Sequence, residues 1–342
     1  MIARRLALVC IILPALCLTA VPRASAWDEE GHAIVTRLAF AKLPASMPIW
    51  IKDPRIGDRL AYLSSEPDRW RGQHSVQLDH CNNPDHYFDA EDIKPFGLSL
   101  MNLPLLRREF CDVLATQRAL HPDKFAPRKS EKDEAYTDLV PGLLPYTIAE
   151  LQWKIASSWT TLKTYEEHRD LVTESMIQNA RENVVFHMGL LSHFVGDGAQ
   201  PLHMTCHHHG WVGENPKGYT TEPKFHSYID GGVIAHHHIT ADSLISRAMP
   251  ARKVSQQAYW ANIAEYLNET YQLVEPIYEL EKSGELKQAA GKKFIEERLL
   301  EGGAMLAGVW VTAYESATID DFRVRALKRK DSKGASIGAT KP

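Results

Sequence analysis

The sequence predicts an all-α protein built as a single multi-helix domain. Apolar residues recur at helical spacing in several long stretches, and no stretch alternates apolar and polar residues as a half-buried strand does. The composition, with 44% hydrophobic and 24% charged residues, excludes a disordered chain, a collagen-like repeat and a multi-span membrane protein. We therefore expect roughly seven to ten helices around one core.

The predicted helices follow from apolar stripes that recur every three or four residues. In the first stretch, Ile34, Val35 and Leu38 share one face. In chain order the predicted helices cover 31–43, about 144–165, about 172–196, about 256–282 and 294–316. Loops between them hold most of the prolines, which lack the N–H that a helix interior requires.

The two ends of the chain differ from its middle. Residues 1–26 combine two early arginines, an apolar run and the small-residue ending Ala24-Ser25-Ala26, which predicts a signal peptide cleaved between Ala26 and Trp27. A secreted or periplasmic location follows. The folded domain is predicted over 27–325, and the basic, polar residues 326–342 are predicted to be a disordered tail.

Charge and cysteine content narrow the function classes. The whole chain carries a formal charge of -4, and without residues 1–26 it keeps 36 basic and 43 acidic residues. Such a protein does not attract phosphate polymers by its overall field, so nucleic-acid binding requires local cations, metal ions or aromatic stacking. The exported part contains Cys81, Cys111 and Cys206, for which we expect a Cys81–Cys111 disulfide.

Histidine and aspartate recur at helical spacing. His193 and Asp197 are four residues apart near the end of a predicted helix, and His226 and Asp230 repeat the spacing. His203 follows a proline-marked turn between the two pairs. Residues at i and i+4 share a helix face, and imidazole and carboxylate are suitable zinc ligands. This pattern predicts a metal site, although a single such residue is more often a helix cap or a hydrogen-bonded side chain.

The predicted mature N-terminus adds further ligands. The free α-amino group of Trp27, with an ordinary pKa near 8, deprotonates readily beside a cation and can chelate it together with the Trp27 carbonyl oxygen. His32 lies five residues further on and could reach the same ion. The alternative is that Trp27 is only a buried aromatic residue and His32 a surface cap.

The segments WDEEGH from Trp27, HFVGD from His193 and QPLH from Gln200 closely resemble the S1/P1 nuclease family, which shares its fold with zinc-dependent phospholipases C. The resemblance runs from Trp27 to the segment GGAMLAGVWVTAYES and implies an all-α fold with three zinc ions in a cleft. It implies one zinc on Asp68, His86, His193 and Asp197, a second on His203, His226 and Asp230, and a third on Trp27, His32 and the bridging Asp197. It further implies that Arg71 contacts the phosphate and that Tyr87 stacks on a nucleobase.

Some positions depart from the family pattern. Glu66-Pro67-Asp68 replaces the usual Trp-Ala-Asp, and Gly213-Glu214-Asn215 stands where a Gly-Gly-Asn run is usual. Two histidine runs, 207–209 and 236–238, match no family ligand. We expect the first run to line the cleft and the second to be a solvated loop.

The resemblance implies a secreted zinc-dependent phosphodiesterase that cleaves single-stranded DNA, RNA or nucleotides. The implied mechanism is attack of a zinc-bound hydroxide on phosphorus, with Asp68 orienting the hydroxide and Arg71 stabilising the phosphate. One alternative is a phospholipase C that acts on phospholipid head groups, with Glu214 as a candidate for holding a quaternary amine. Another alternative is a non-catalytic zinc-binding or adhesion protein. It would require some of the family's metal ligands to be missing, and all of those positions are filled in this sequence. No obligate protein partner is evident.

Overall fold

Helices dominate residues 27–125 and 133–338, the parts of the chain that the computed structural model describes. The all-α prediction is confirmed, and among those residues the only β-type pairing is an isolated bridge between Phe88 and Gly142. The α-helices are Glu29–Phe40 (α1), Pro54–Leu63 (α2), Glu66–Arg71 (α3), Val76–Asn82 (α4), Arg107–Leu120 (α5), Leu144–Glu167 (α6), Glu174–Asp197 (α7), Phe225–Ser227 (α8), Val233–His237 (α9), Ala241–Leu244 (α10), Tyr259–Tyr271 (α11), Val274–Lys282 (α12), Ala289–Ser316 (α13) and Asp321–Gly338 (α14). A 3-10 turn, Pro201–Met204, and a π-helical turn, Tyr228–Gly232, also carry predicted site residues.

The predicted helix over about 256–282 is two helices. The helix α11 ends at Tyr271, and α12 begins at Val274 with Pro276 in its first turn. A proline is tolerated in a first turn but removes a hydrogen bond from a helix interior, which explains why the chain breaks here. The other four predicted long helices correspond to α1, α6, α7 and α13.

The described residues 326–338 continue α14, and the disordered tail over 326–342 stays a prediction. One further expectation differs from the structure. The predicted Cys81–Cys111 disulfide is wrong: Cys81, Cys111 and Cys206 are all free thiols. The first two are fixed on separate helices, α4 and α5, so their spacing in sequence does not bring them together. The predicted signal peptide, residues 1–26, lies outside the described residues, as do 339–342.

The core forms where α6, α7 and α13 pack together and α1 crosses α13. Trp159 on α6 and Trp310 on α13 are fully buried, and the Trp310 indole N–H donates to the Met188 carbonyl oxygen at 3.2 Å. No helix within the described ranges is both long and apolar enough to cross a membrane. This arrangement fixes the C-terminal end of α7 beside the N-terminal end of α1.

The 3-10 turn Asn83–His86 and the extended residues after it carry His86 and Tyr87 to the same place. The Phe88 N–H donates to the His203 carbonyl oxygen at 2.8 Å, and the Leu144 N–H donates to the Tyr87 carbonyl oxygen at 3.2 Å. Gly142 lies against this segment with φ of 98°, where a side chain would collide with the Tyr87 carbonyl oxygen. A glycine is therefore required, since it alone tolerates both the backbone conformation and the close approach.

Candidate metal centre and cleft

The last turns of α7 present the centre of the site. His193 and Asp197 are both completely buried, and the helical spacing places His193 Nε2 3.4 Å from Asp197 Oδ2. The other ring nitrogen, His193 Nδ1, lies 2.7 Å from the Ser64 carbonyl oxygen. A carbonyl can only accept, so Nδ1 carries the proton and the Nε2 lone pair points toward the carboxylate.

Asp68 and His86 approach the same point from other elements. His86 Nδ1 lies 2.8 Å from His193 Nε2 and 3.3 Å from Asp197 Oδ2. Asp68, in α3, places Oδ1 3.9 Å from both His86 Nδ1 and His193 Nε2. Asp68, His86, His193 and Asp197, the residues expected to hold one zinc ion, are thus brought together by three separate parts of the chain.

The second oxygen of Asp197 faces the N-terminal segment. His32 Nε2 lies 3.4 Å from Asp197 Oδ1, and the His32 and His193 rings stack at 4.0 Å. Trp27 is fully buried, with its Cβ against Gly31. A Cβ at Gly196 would lie 2.7 Å from His32 Nδ1, so this glycine makes room for the imidazole. The two oxygens of Asp197 therefore face two different groups of donors, as in a bridging carboxylate.

His203, His226 and Asp230 form the other group. His226 Nε2 lies 3.0 Å from His203 Nε2 and 3.4 Å from Asp230 Oδ2. The His203 Nδ1 proton is held by the His86 carbonyl oxygen at 2.7 Å, which again leaves the Nε2 lone pair inside the group. Gln200 donates from Nε2 to Asp230 Oδ1 at 2.8 Å and accepts from the Leu202 N–H at 2.6 Å. Gln200 thereby fixes the carboxylate and the turn that carries His203.

The donor set fits a cation. Asp197 Oδ1 and Oδ2, Asp230 Oδ2 and His32 Nε2 are buried without a hydrogen-bond partner among the described residues. Burial, reinforced by neighbouring carboxylates, raises the pKa of Asp197 and Asp230 well above the ordinary range. Burial, reinforced by neighbouring imidazoles, lowers the pKa of His32 and His226 well below theirs. Buried polar atoms of this kind are normally satisfied, and a metal ion satisfies lone pairs that no proton donor reaches.

The distances suit ligands around a small metal ion such as zinc. Four ligands about 2.0–2.1 Å from a tetrahedral zinc ion lie about 3.3 Å from one another. The oxygens of Asp197 and Asp230 lie 3.3 or 3.4 Å from the nearest imidazole nitrogens in all three groups. The imidazole pairs, at 2.8 and 3.0 Å, are closer than that, and Asp68 Oδ1, at 3.9 Å from two imidazole nitrogens, is farther.

A cavity of about 540 Å³ opens directly above these groups. His86, His203 and His226 form part of its lining, together with Arg71 and Tyr87. Arg71 Nη1 lies 3.3 Å from Asp68 Oδ1, which places a guanidinium between the carboxylate and the open space. The histidine-rich floor is therefore accessible to a substrate although the individual ligands are buried.

The two histidine runs have different positions. His208 and His209 line the cavity, and burial lowers the pKa of His209 to about 4. His207 instead stacks on Trp211 at 3.9 Å. In the second run, His236 and His237 lie at the end of α9, and their Nε2 atoms are 3.1 and 2.9 Å from the carbonyl oxygens of residues 287 and 286.

Sequence reasoning missed part of the site. Gln200 stands in the QPLH segment, which marked it as a residue near the site. Only the fold shows that it donates a hydrogen bond to Asp230. Nothing in the sequence indicates that Arg118 or the loop 137–141 lines the cavity. Glu214, considered for binding a quaternary amine, is exposed and does not line the cavity.

Comparison with known families agrees with this geometry. The family model described as S1/P1 Nuclease matches residues 150–315. That range contains His193, Asp197, His203, His226 and Asp230, while Trp27, His32, Asp68 and His86 lie before it. No curated protein sequence gives a significant match to the chain.

Proposed function

We propose that the chain is a zinc-dependent phosphodiesterase that hydrolyses single-stranded nucleic acid, on the premise that residues 150–315 match the family model described as S1/P1 Nuclease. The observation that carries the proposal is the convergence of three His/Asp groups beneath one cavity that also contains Arg71 and Tyr87. A phosphodiester carries negative charge that a buried cationic centre stabilises, and the cavity supplies an aromatic ring for a base. The signal peptide predicted over residues 1–26 supports export of the protein.

Three zinc ions would be held by the proposed ligands, with Asp197 shared between two of them and the Trp27 amine and carbonyl completing the group at His32. When bound, zinc lowers the pKa of water and neutralises charge on phosphoryl oxygens. The carboxylates of Asp197 and Asp230 supply the negative charge that makes multiple cations tolerable in a buried centre.

Asp68 and Arg71 perform the remaining steps. Asp68 lies within 3.9 Å of two proposed ligands, and its carboxylate orients the attacking water and accepts its proton. Arg71, which is held beside Asp68, donates N–H bonds to the phosphoryl oxygens as negative charge builds up. The reaction needs no covalent protein intermediate, because water attacks phosphorus directly.

The preference for unpaired strands follows from the ring of Tyr87. The centroids of Tyr87 and His208 are 6.5 Å apart, and the ring planes are inclined by 37°. A base between two rings needs about 7 Å, since each stacking contact takes about 3.5 Å. The wedge between these rings can therefore hold an unstacked base after a small opening, whereas a base inside a duplex stays stacked on its neighbours.

The proposal is tested by comparing initial rates on three substrates with the mature protein that begins at Trp27. Single-stranded DNA, double-stranded DNA and phosphatidylcholine micelles are each incubated with zinc, with and without a chelator. We expect fast cleavage of the single strand that stops with the chelator. Cleavage of the lipid alone would contradict the proposed substrate. Cleavage that continues in the presence of the chelator would contradict the proposed zinc requirement.

Replacing Tyr87 by Ala should weaken nucleotide substrates selectively. Loss of one stacking contact is expected to lower kcat/KM for a dinucleotide about tenfold or more. The rate on bis(p-nitrophenyl) phosphate, which presents no base, should change little. Tyr87→Phe keeps the ring and serves as the control with nearly normal rates. Equal losses on both substrates would show that Tyr87 does not stack on a base.

One observation favours the alternative, a phospholipase C. The carboxyl groups of Asp89, Asp92 and Asp138 line the same cavity and could face a cationic head group. Burial raises the pKa of Asp89 well above the ordinary range, which lowers the negative charge that this wall offers to a cation. The nuclease is therefore the better supported reading, and the lipid arm of the substrate comparison decides between them.

A further inference from the structure

Arg118 is a second arginine that faces the cavity. It lies in the last turn of α5 and contributes to the same lining as Arg71 and the histidine floor. Its guanidinium carbon lies 5.1 Å from the centre of the Phe96 ring and 6.0 Å from that of Phe125. The two phenyl rings stack on each other at 4.5 Å with planes 16° apart. An arginine held on aromatic faces keeps its N–H groups free for a ligand.

The charge of Arg118 is not paired with another side chain in the part of the chain that the structure describes. Arg71 is paired with Asp68 at 3.3 Å, whereas Arg118 forms no ion pair or side-chain hydrogen bond with any side chain in 27–125 and 133–330. The carboxyl group of Asp92, which lines the same cavity, partly offsets its charge. A partly buried guanidinium without an anionic partner loses hydration and gains little in return, unless an anion from outside occupies the place.

We propose that Arg118, positioned by Phe96 and Phe125, is a second phosphate subsite that binds the phosphate of the nucleotide next to the scissile bond. The inference rests on the proposed function and names the substrate more closely: a chain with at least two phosphates. The planar guanidinium of Arg118 can donate to two phosphate oxygens at once. Such contacts fix the position of a nucleic-acid strand without reading its sequence. Arg71 on α3 then serves the reacting phosphate, and Arg118 on α5 serves its neighbour.

Chain-length preference tests the subsite. We would measure kcat and KM for a dinucleotide with one phosphodiester and a trinucleotide with two, using the zinc-loaded protein and its Arg118→Ala and Arg118→Lys variants. The unmodified protein should prefer the trinucleotide about tenfold, through KM. Arg118→Ala should remove that preference and leave dinucleotide cleavage within about twofold, while Arg118→Lys should retain part of it. The loss should shrink at high salt, because the contact is electrostatic.

A matched control and a competing anion complete the design. Arg108 stands on the same helix, is exposed and pairs with Asp112 at 3.3 Å, so Arg108→Ala should behave like the unmodified protein. Inorganic phosphate is added as an inhibitor in every case. If Arg118→Ala changes only this inhibition, the residue binds free phosphate and the proposal is overturned.

The remaining outcomes separate the two proposals. If the dinucleotide is cleaved but the unmodified protein shows no preference for the trinucleotide, or if Arg118→Ala keeps that preference, only the subsite is wrong. Equal losses of Arg118→Ala on both substrates would also overturn the subsite, since they would indicate a general effect on the cleft. If the unmodified protein cleaves neither nucleotide, the nuclease function fails and the subsite fails with it.

Discussion

Replacing Asp197 by Asn is expected to lower phosphodiester hydrolysis by a factor on the order of 10³ or more. The two oxygens of Asp197 lie 3.4 Å from His32 Nε2 and 3.3 Å from His86 Nδ1, so a single carboxylate serves two groups of proposed ligands. An amide offers one neutral oxygen and an N–H₂ group that repels a cation. Zinc content, measured by mass spectrometry of the metal, should fall from three ions toward one per chain.

The folded structure should survive this substitution. Burial raises the pKa of Asp197 well above the ordinary range, so the charged carboxylate is disfavoured in the metal-free protein, and the neutral amide of Asn has nearly the same shape. Thermal unfolding without zinc should therefore change little. Asp58→Asn, at an exposed position paired with Arg37 at 3.0 Å, is the control. Normal zinc content in the Asp197→Asn protein would contradict the bridging role.

A protein that keeps Ala26 in front of Trp27 is expected to lose one zinc ion and most of its activity. The added residue turns the α-amino group, which deprotonates near pH 8, into an amide that does not bind zinc at neutral pH. The backbone at Trp27 has little room to shift and make way for the added residue, because Trp27 is fully buried and the Asp28 N–H donates to the Asp230 carbonyl oxygen at 3.3 Å. His32 would then lack its proposed companions in the group.

The comparison needs two preparations that differ only at this end. One begins at Trp27, the other at Ala26, and both carry the same extension after Pro342 as a control for added residues. Zinc stoichiometry and kcat/KM on single-stranded DNA are measured for each. Three zinc ions and full activity in the Ala26 protein would show that the amine is not a ligand.

Spacing predicted those parts of the site that a single helix determines. His193 and Asp197 could be placed on one face from sequence, because four residues make about one turn, and their atoms do lie 3.4 Å apart. The pair His226 and Asp230 is equally close, although Asp230 lies in a π-helical turn. Within one helix, the spacing of two residues in sequence therefore predicts the distance between their side chains.

Contacts between distant segments could not be predicted in this way. Asp68 and His86 come from a short helix and a 3-10 turn, and only the family resemblance associated them with His193. Asp197 contacts two groups of proposed ligands, and Gln200 donates a hydrogen bond to Asp230. Both contacts depend on how α7 packs against α1 and the π-helical turn. The same limit applies to Arg118, which reaches the cavity through packing of α5 that no local pattern encodes.

The position of the ligands along the chain has a consequence for durability. The proposed donors extend from Trp27 to Asp230 and come from α1, α3, α7 and several turns, so only the folded chain brings them together. A ligand bound only by the folded state stabilises it by about 2.7 kcal/mol when its concentration is a hundred times its dissociation constant. With three such ions, resistance to heat and proteases would depend on the zinc supply of the surroundings. With the proposed ions, the chain would be degraded faster in a metal-poor medium than in a zinc-rich one.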